Sequence, residues 1–516
     1  MMRFLKTLAV IGLTLAAFVM LARLLFPLPD ISNREISSAL PASDQTSIGA
    51  TVADLSAAHV GQSGIIPLRS GTDALASRVE LIRRAEASID AQYYIWHDDT
   101  SGVLLLEELR NAALRGVRVR LLLDDNGVSG LDATLATLNA QPNFEIRLFN
   151  PSTIRRPKLL GYSFDFFRMN RRMHNKSLIV DGAVAIIGGR NIGDEYFDVQ
   201  RDAFYIDMDA LAAGKVVPET AKVFDDYWNS PSVFALESIV SSDGNLITFD
   251  QRVSEVMATP EAQRLMGDLQ SSADKFARGE MPMEWTNVRV VADDPVKGQG
   301  SATSDQLMIS RLGEILGQVE TRLDLVSAYF VPGQRGTEYL TDLAAAGVDV
   351  RVLTNAMNTT DVLMVHSGYT RYRRALLEAD VSLYELKLRA QMSADANRQL
   401  KPFGLSGASL HAKTFAVDGD RVFIGSFNFD PRSATLNCEM GFLIESPTLA
   451  GQVSAGFDGP LLTVSYQPAL TPKGKMIWRE PIEDGETLIY QEEPGATWFQ
   501  QIAIAVIGVL PVEWLL

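Results

Sequence analysis

His174-Asn-Lys176-Ser-Leu-Ile-Val-Asp181 and His411-Ala-Lys413-Thr-Phe-Ala-Val-Asp418 are the same pattern written twice in one chain. Seven residues after each aspartate comes a glycine, Gly188 and Gly425, and three further on an asparagine, Asn191 and Asn428. An acidic residue stands 28 positions after each histidine, Asp202 and Glu439. The repeat extends upstream. Ala87 to Trp96 reads as a buried strand, preceded by a helical pattern over Asp73 to Glu86. It is followed by a helix over Val103 to Leu114 and a strand over Val117 to Leu123. Thr321 to Phe330, Thr337 to Ala345 and Val348 to Leu353 repeat that order. Strand–helix–strand alternation, met twice in one chain, predicts α/β layers built by an internal duplication.

A duplicated scaffold can preserve apolar strands by packing alone. Packing gives no reason to keep His, Lys and Asn together in both copies. In His-x-Lys on a strand the two side chains share a face, because successive residues alternate. Each copy therefore presents an imidazole beside an ammonium. Two copies brought together would surround one point with two imidazoles, two ammoniums and two carboxamides. That set suits a pentacoordinate phosphorus. One imidazole can attack phosphorus while the other protonates the leaving oxygen. Asp202 and Glu439 are expected to orient the imidazoles through their second nitrogens. The lysines supply the positive charge, so neither a metal nor a cofactor is expected.

Composition narrows the field. The chain has 516 residues, 47% of them hydrophobic, enough for two domains with large cores. One cysteine, Cys438, and five histidines leave too few ligands for a Cys/His zinc cluster. A net charge of −16 disfavours a long polyanion, so nucleic acid is not expected as a partner.

These motifs resemble the phospholipase D superfamily, and within it the bacterial cardiolipin synthases of the short, C-type branch. The detailed likeness lies in Asn170-Arg-Arg-Met-His-Asn-Lys-Ser, Gly188-Gly-Arg-Asn-Ile-Gly-Asp-Glu-Tyr-Phe197, Gly425-Ser-Phe-Asn-Phe-Asp-Pro-Arg-Ser433, Ser367-Gly-Tyr and Leu383-Tyr-Glu. The resemblance spans about residue 70 to 490. It implies a bilobed α-β-α fold with the site at the lobe interface, and a phosphohistidine intermediate. It makes His174 the nucleophile and His411 the acid, with Lys176, Lys413, Asn191 and Asn428 on the phosphate. It gives Asp181 and Asp418 a structural part beside these catalytic groups. One departure is Gly189 in the first copy where the second has Ser426, so a hydroxyl contact to phosphate is expected on one side only.

Smaller features suggest a lipid surface. Arg155 to Lys176 is rich in basic and aromatic residues, with Arg171 and Arg172 just before the histidine, and invites an anionic headgroup. His366 either lines an acceptor pocket or is structural. Thr7 to Leu28 is apolar apart from Arg23 and reads as an uncleaved membrane anchor, the alternative being a signal peptide. Arg3 and Lys6 before it place the body outside the cytoplasm, on the periplasmic side of an inner membrane. The expected organisation is an anchor at 1–28, a linker at 29–70, a first lobe at 71–242, a helical connection at 243–284, a second lobe at 285–490 and an amphipathic interfacial segment at 491–516. Together these features predict a phosphatidyltransferase that makes cardiolipin from phosphatidylglycerol and a second phospholipid. The rivals are a phospholipase D that uses water, a phosphodiesterase or nuclease, and a non-catalytic scaffold. No obligate protein partner is implied.

Overall fold

Apolar runs such as Leu121 to Leu123 are buried on both faces, as expected for inner strands covered by helices on either side. In the computed structural model, described over residues 2–199, 203–242, 244–278, 280–360, 362–387, 407–482, 486–509 and 513–515, two such sheets form two lobes. The heart of the first sheet runs, in spatial order, Asp209–Gly214, Val184–Gly188, Ser177–Val180, Ser88–Ile95, Arg118–Gly127 and Phe144–Phe149. The second repeats it with Met440–Glu445, Arg421–Gly425, Lys413–Val417, Arg322–Ser327, Asp349–Asn355 and Ser382–Leu386. In both, the last three strands are parallel and the first three antiparallel.

The alternation of side chains along each strand divides the core. Leu121 and Leu123 pack with the helices Gly71–Arg84 and Thr100–Leu114 on the outer face. Leu122 and Ile179 face the helix Val216–Trp228 and, beyond it, Phe442 and Ile444 of the second lobe. That shared apolar layer joins the lobes into one continuous core.

Backbone pairing reinforces the joint. Cys438 N–H donates to Arg172 C=O, and His174 N–H donates to Cys438 C=O, both at 2.8 Å. The symmetric contact is a two-stranded parallel ladder of Gly407–Leu410 with Ala203–Ile206, from which His411 N–H reaches Ile206 C=O at 2.9 Å. Each histidine thus enters its site along a segment of the opposite lobe.

Three expected boundaries move. Residues 29–70 are not a free linker. Arg34 donates to Ser230 C=O at 3.0 Å, and Asp225 accepts from Ala39 N–H at 2.8 Å. Ser47–Ser56 is a helix, and Ser63–Leu68 is a strand paired with Asp209–Gly214. The connection at 243–284 is helical over Leu246–Met257 and Pro260–Ala277, yet it belongs to the first lobe, where Arg110 stacks on Phe249. Glu284–Thr286 still pairs with the first sheet, and Val288–Ala292 opens the second.

Candidate active site

Both catalytic hairpins are built alike. Asp181 and Asp418 take φ of 51° and 52° at the tight turn after the strand, with Gly182 and Gly419 next. The Asp181 carboxylate accepts the N–H groups of Glu86, Ala87 and Ser88, at 2.8 Å from Ala87. Asp418 does the same for Glu320, Thr321 and Arg322. These aspartates pin the start of the neighbouring strand at the far end from the histidines. Their part beside the catalytic groups is played on the scaffold.

At the other end, the two histidine strands meet between the lobes. His174 is 7% exposed and His411 6%, so each ring shows only an edge. His174 Nδ1 lies 2.8 Å from Glu439 Oε2, and His411 Nδ1 lies 2.6 Å from Asp207 Oδ2. With Nδ1 held, Nε2 is the nitrogen left for chemistry. The pairing is crossed: the acid of each lobe holds the ring of the other. Asp202 lies outside the described residues, and the carboxylate at His411 is Asp207. Strand register makes the equivalence plain. Gly188 pairs with Asp209 as Gly425 pairs with Gly441, so Asp207 and Glu439 each sit two residues before the matched position.

The departure at Gly189 has a steric cause. A Cβ there would stand 2.2 Å from Asp207 Oδ1. In the second copy Ser426 fills the corresponding place, and its hydroxyl bonds the Glu439 carboxylate. The expected contact of Ser426 with phosphate is thus corrected: the hydroxyl buttresses Glu439.

Burial and like charge tune the groups. Burial, then the ammoniums of Lys176 and Lys413, hold the His174 imidazole well below its ordinary pKa. Burial and Lys413 take His411 down to about 4 against the pull of Asp207. Burial alone would raise Asp207, but His411 and then Lys413 keep it well below the usual carboxylate range. Glu439 is raised to about 6 by burial, with Lys176 opposing. Burial draws Lys176 down to about 7; Glu439 resists the drop and Lys413 adds to it. Both imidazoles are therefore neutral, and nucleophilic, at neutral pH.

Aromatic rings wall the centre. Tyr94 meets His174 edge-on at 5.0 Å and lies 5.5 Å from Lys176 Nζ. Tyr196 and Tyr205 flank His411 at 5.1 and 4.9 Å. The Asn191 carboxamide accepts from Ile95 N–H at 3.2 Å and donates to Tyr196 OH at 2.9 Å. Asn428 repeats the first contact with Tyr329 N–H at 3.5 Å. The asparagines thus tie the end of the strand Ser88–Ile95, and the turn after Arg322–Ser327, to the rim of the site.

Other expected contacts fall elsewhere. Arg172 is buried, donates to Asp124 at 3.0 Å and to Asn150 C=O at 3.1 Å, and has no face toward a substrate. Arg171 turns back to Phe167 C=O. Arg155 and Lys158 are consumed by Asp125, and Arg168 by Asp165. The basic stretch is therefore largely neutralised by acids of its own lobe. His366 is 2% exposed and sits 2.6 Å from Glu493 and 3.2 Å from Arg373, in a structural network. Sequence reasoning missed Asp207, Tyr94, Tyr196 and Tyr205. Only Asp207 left a signal, the acid-methionine pair before a strand that Asp207-Met208 shares with Glu439-Met440.

Two lobes of one duplicated α/β design, with a crossed pair of acid-held histidines between them, define a phospholipase D-type protein. The chain belongs to the family described as cardiolipin synthase, PLD-like domain, whose model matches residues 79–228 and 312–460, one His-x-Lys motif in each. It is 43% identical over 473 residues to cardiolipin synthase C of Escherichia coli, covering 91% of this chain and 99% of that one. It is 31% identical to an uncharacterized protein of Helicobacter pylori, covering 90% and 92%. Among solved structures, phosphatidylserine synthase of Haemophilus influenzae superposes with a TM-score of 0.56 over 90% of this chain and all of that one. At 13% identity, this likeness speaks for the fold.

Proposed function

We propose that the protein is a phosphatidyltransferase that makes cardiolipin, with phosphatidylglycerol as the acceptor and phosphatidylglycerol or phosphatidylethanolamine as the donor. The carrying observation is the crossed pair His174–Glu439 and His411–Asp207, with the charges of Lys176 and Lys413 both acting on His174. His174 Nε2 attacks the phosphorus of the donor. The bond to the headgroup oxygen breaks, and His411, which takes up a proton on Nε2 once the phosphodiester anion lies beside it, gives that proton to the oxygen. The phosphatidyl group then rides on His174 until the acceptor hydroxyl gives its proton to His411 and attacks phosphorus, breaking the P–N bond. Asp207 is the more firmly ionised carboxylate. It supports an imidazolium better than Glu439 does, which favours His411 as the acid and His174 as the nucleophile. The two ammoniums neutralise the phosphodiester and the charge that builds in the transition state, so no metal or cofactor is invoked.

The partners in this reading are phospholipids and a membrane, not nucleic acid or an obligate protein. Met2–Leu25 is a 24-residue helix with an 18-residue window of mean hydropathy 2.3, 6% of it buried, and it supports the anchor. Arg3 and Lys6 at its start favour a periplasmic body on the inner membrane.

Purified protein in vesicles of labelled phosphatidylglycerol, with and without phosphatidylethanolamine, tests the reaction. Labelled cardiolipin is expected. Phosphatidic acid without cardiolipin would replace the transferase with a hydrolase. His411→Asn quenched in SDS at mildly alkaline pH, where a P–N bond survives, should retain the phosphatidyl label on His174; label on neither histidine would end the covalent route.

A further inference from the structure

The N-terminal helix does not hang free at its inner end. Arg23 Nε donates to Phe164 C=O at 3.2 Å, and its guanidinium pairs with Asp165 at 3.4 Å. Phe26 stacks on Phe164 with centroids 6.1 Å apart, and Thr153 Oγ1 donates to Phe26 C=O at 3.2 Å. The membrane-crossing helix is thereby docked on the short helix Tyr162–Met169. At 1.5 Å per residue it reaches about 36 Å away from that point, slightly more than a bilayer's hydrocarbon layer. The bilayer surface must then lie against Tyr162–Met169 and the turn before it.

That region carries apolar side chains in water. Leu159 is 77% exposed, Leu160 52% and Phe167 68%, while Phe166 touches the exposed ring of Trp514 at 6.4 Å. The patch adjoins the catalytic centre. Arg432, next to the second site loop, donates to Asn170 C=O at 2.9 Å and to Leu515 C=O at 3.4 Å, and its charge acts on His174. Asn170 lies directly after the short helix and four residues before that histidine. The C-terminal residues are clamped there through Glu513, at 3.0 Å from Arg371 and 2.6 Å from Tyr372.

We propose that Leu159, Leu160, Phe166, Phe167 and Trp514 form a foot that inserts into the lipid leaflet beside the mouth of the active site. The acyl chains of a reacting lipid would stay in the leaflet while its headgroup rises to His174. Continuity with the anchor selects a bilayer as the occupant, and the inference rests on that reading of the helix Met2–Leu25.

The test uses the full chain in phosphatidylglycerol–phosphatidylethanolamine vesicles that carry nitroxide lipids. Cys438 is buried, so a bimane label goes selectively onto Phe167→Cys or, as a reference within the anchor, Val10→Cys. Quenching at both positions is expected. Quenching at position 10 alone would overturn the foot and leave the anchor intact. Quenching at neither would remove the anchor and the foot with it. Shielding of the label at 167 that grows with protein concentration, without lipid quenching, would assign the patch to a second copy and overturn the proposal. In parallel, Phe167→Glu should lower turnover of vesicle lipid about tenfold and spare a monomeric short-chain phosphatidylglycerol. Equal loss on both substrates would mark Phe167 as merely structural.

Discussion

At the scale of single residues, the protonation states of the site set its working range. Glu439, raised to about 6, takes up a proton as pH falls through that value and stops supporting an imidazolium at His174. Lys176, lowered to about 7, loses its charge as pH rises past it. The kcat/KM profile of the free enzyme should therefore climb through about pH 6 and decline above about pH 7. Glu439→Gln should abolish the acid limb and cost roughly 10²-fold in kcat. Gly189→Ser should push Asp207 off His411 and lower kcat by about 10- to 100-fold with KM little changed, measured under saturating lipid. The histidines, lysines and asparagines were legible in the sequence because both copies keep the same spacing. Asp207 was not, because in the first copy the acid stands 33 positions after the histidine rather than 28. Equal-offset counting landed on Asp202, and only pairing across the sheet restores the alignment.

At the scale of elements, the hairpin aspartates and the buried ion cluster are scaffold. Asp181→Ala would strip acceptors from three backbone N–H groups and should cost about 3 kcal/mol of stability. It should change kcat less than twofold at a permissive temperature, with Tm and turnover read on the same preparation. Arg373 lies between Glu385 and Glu493, and its removal leaves Glu385 buried with its charge uncompensated. Arg373→Ala should destabilise by about 3–5 kcal/mol, read as a lowered midpoint in denaturant unfolding. The alternating strands and helices of both lobes were readable from periodicity. Ser63–Leu68 was not, since nothing local in a short run after a Ser- and Ala-rich stretch announces a partner at Asp209–Gly214, some 140 residues on. The basic stretch before His174 misled for a related reason. Its acids, Asp124, Asp125 and Asp132, lie on an earlier strand and helix, so composition along the chain overstated the free charge.

At the scale of the molecule, the layer from Leu122 and Phe224 to Phe442 and Ile444 runs unbroken between the lobes. Calorimetry of the detergent-solubilised protein should show one cooperative transition for both lobes; two resolved peaks would contradict a shared core. The duplication in the sequence foretold two lobes but not which acid serves which ring. That depends on how the halves face each other, and only the segments meeting at Cys438 and Ile206 reveal it.

The crossed pairing bears on how such a chain can change over time. Had each half held its own ring, one could have decayed into a passive cover while its twin stayed competent, as often befalls copied modules. Here damage to either copy disarms its sibling, so selection sees the two as a single indivisible trait. Divergence is then tolerated only where it arrives in matched pairs, such as a shorter acid beside a glycine on one side and a longer acid beside a serine on the other.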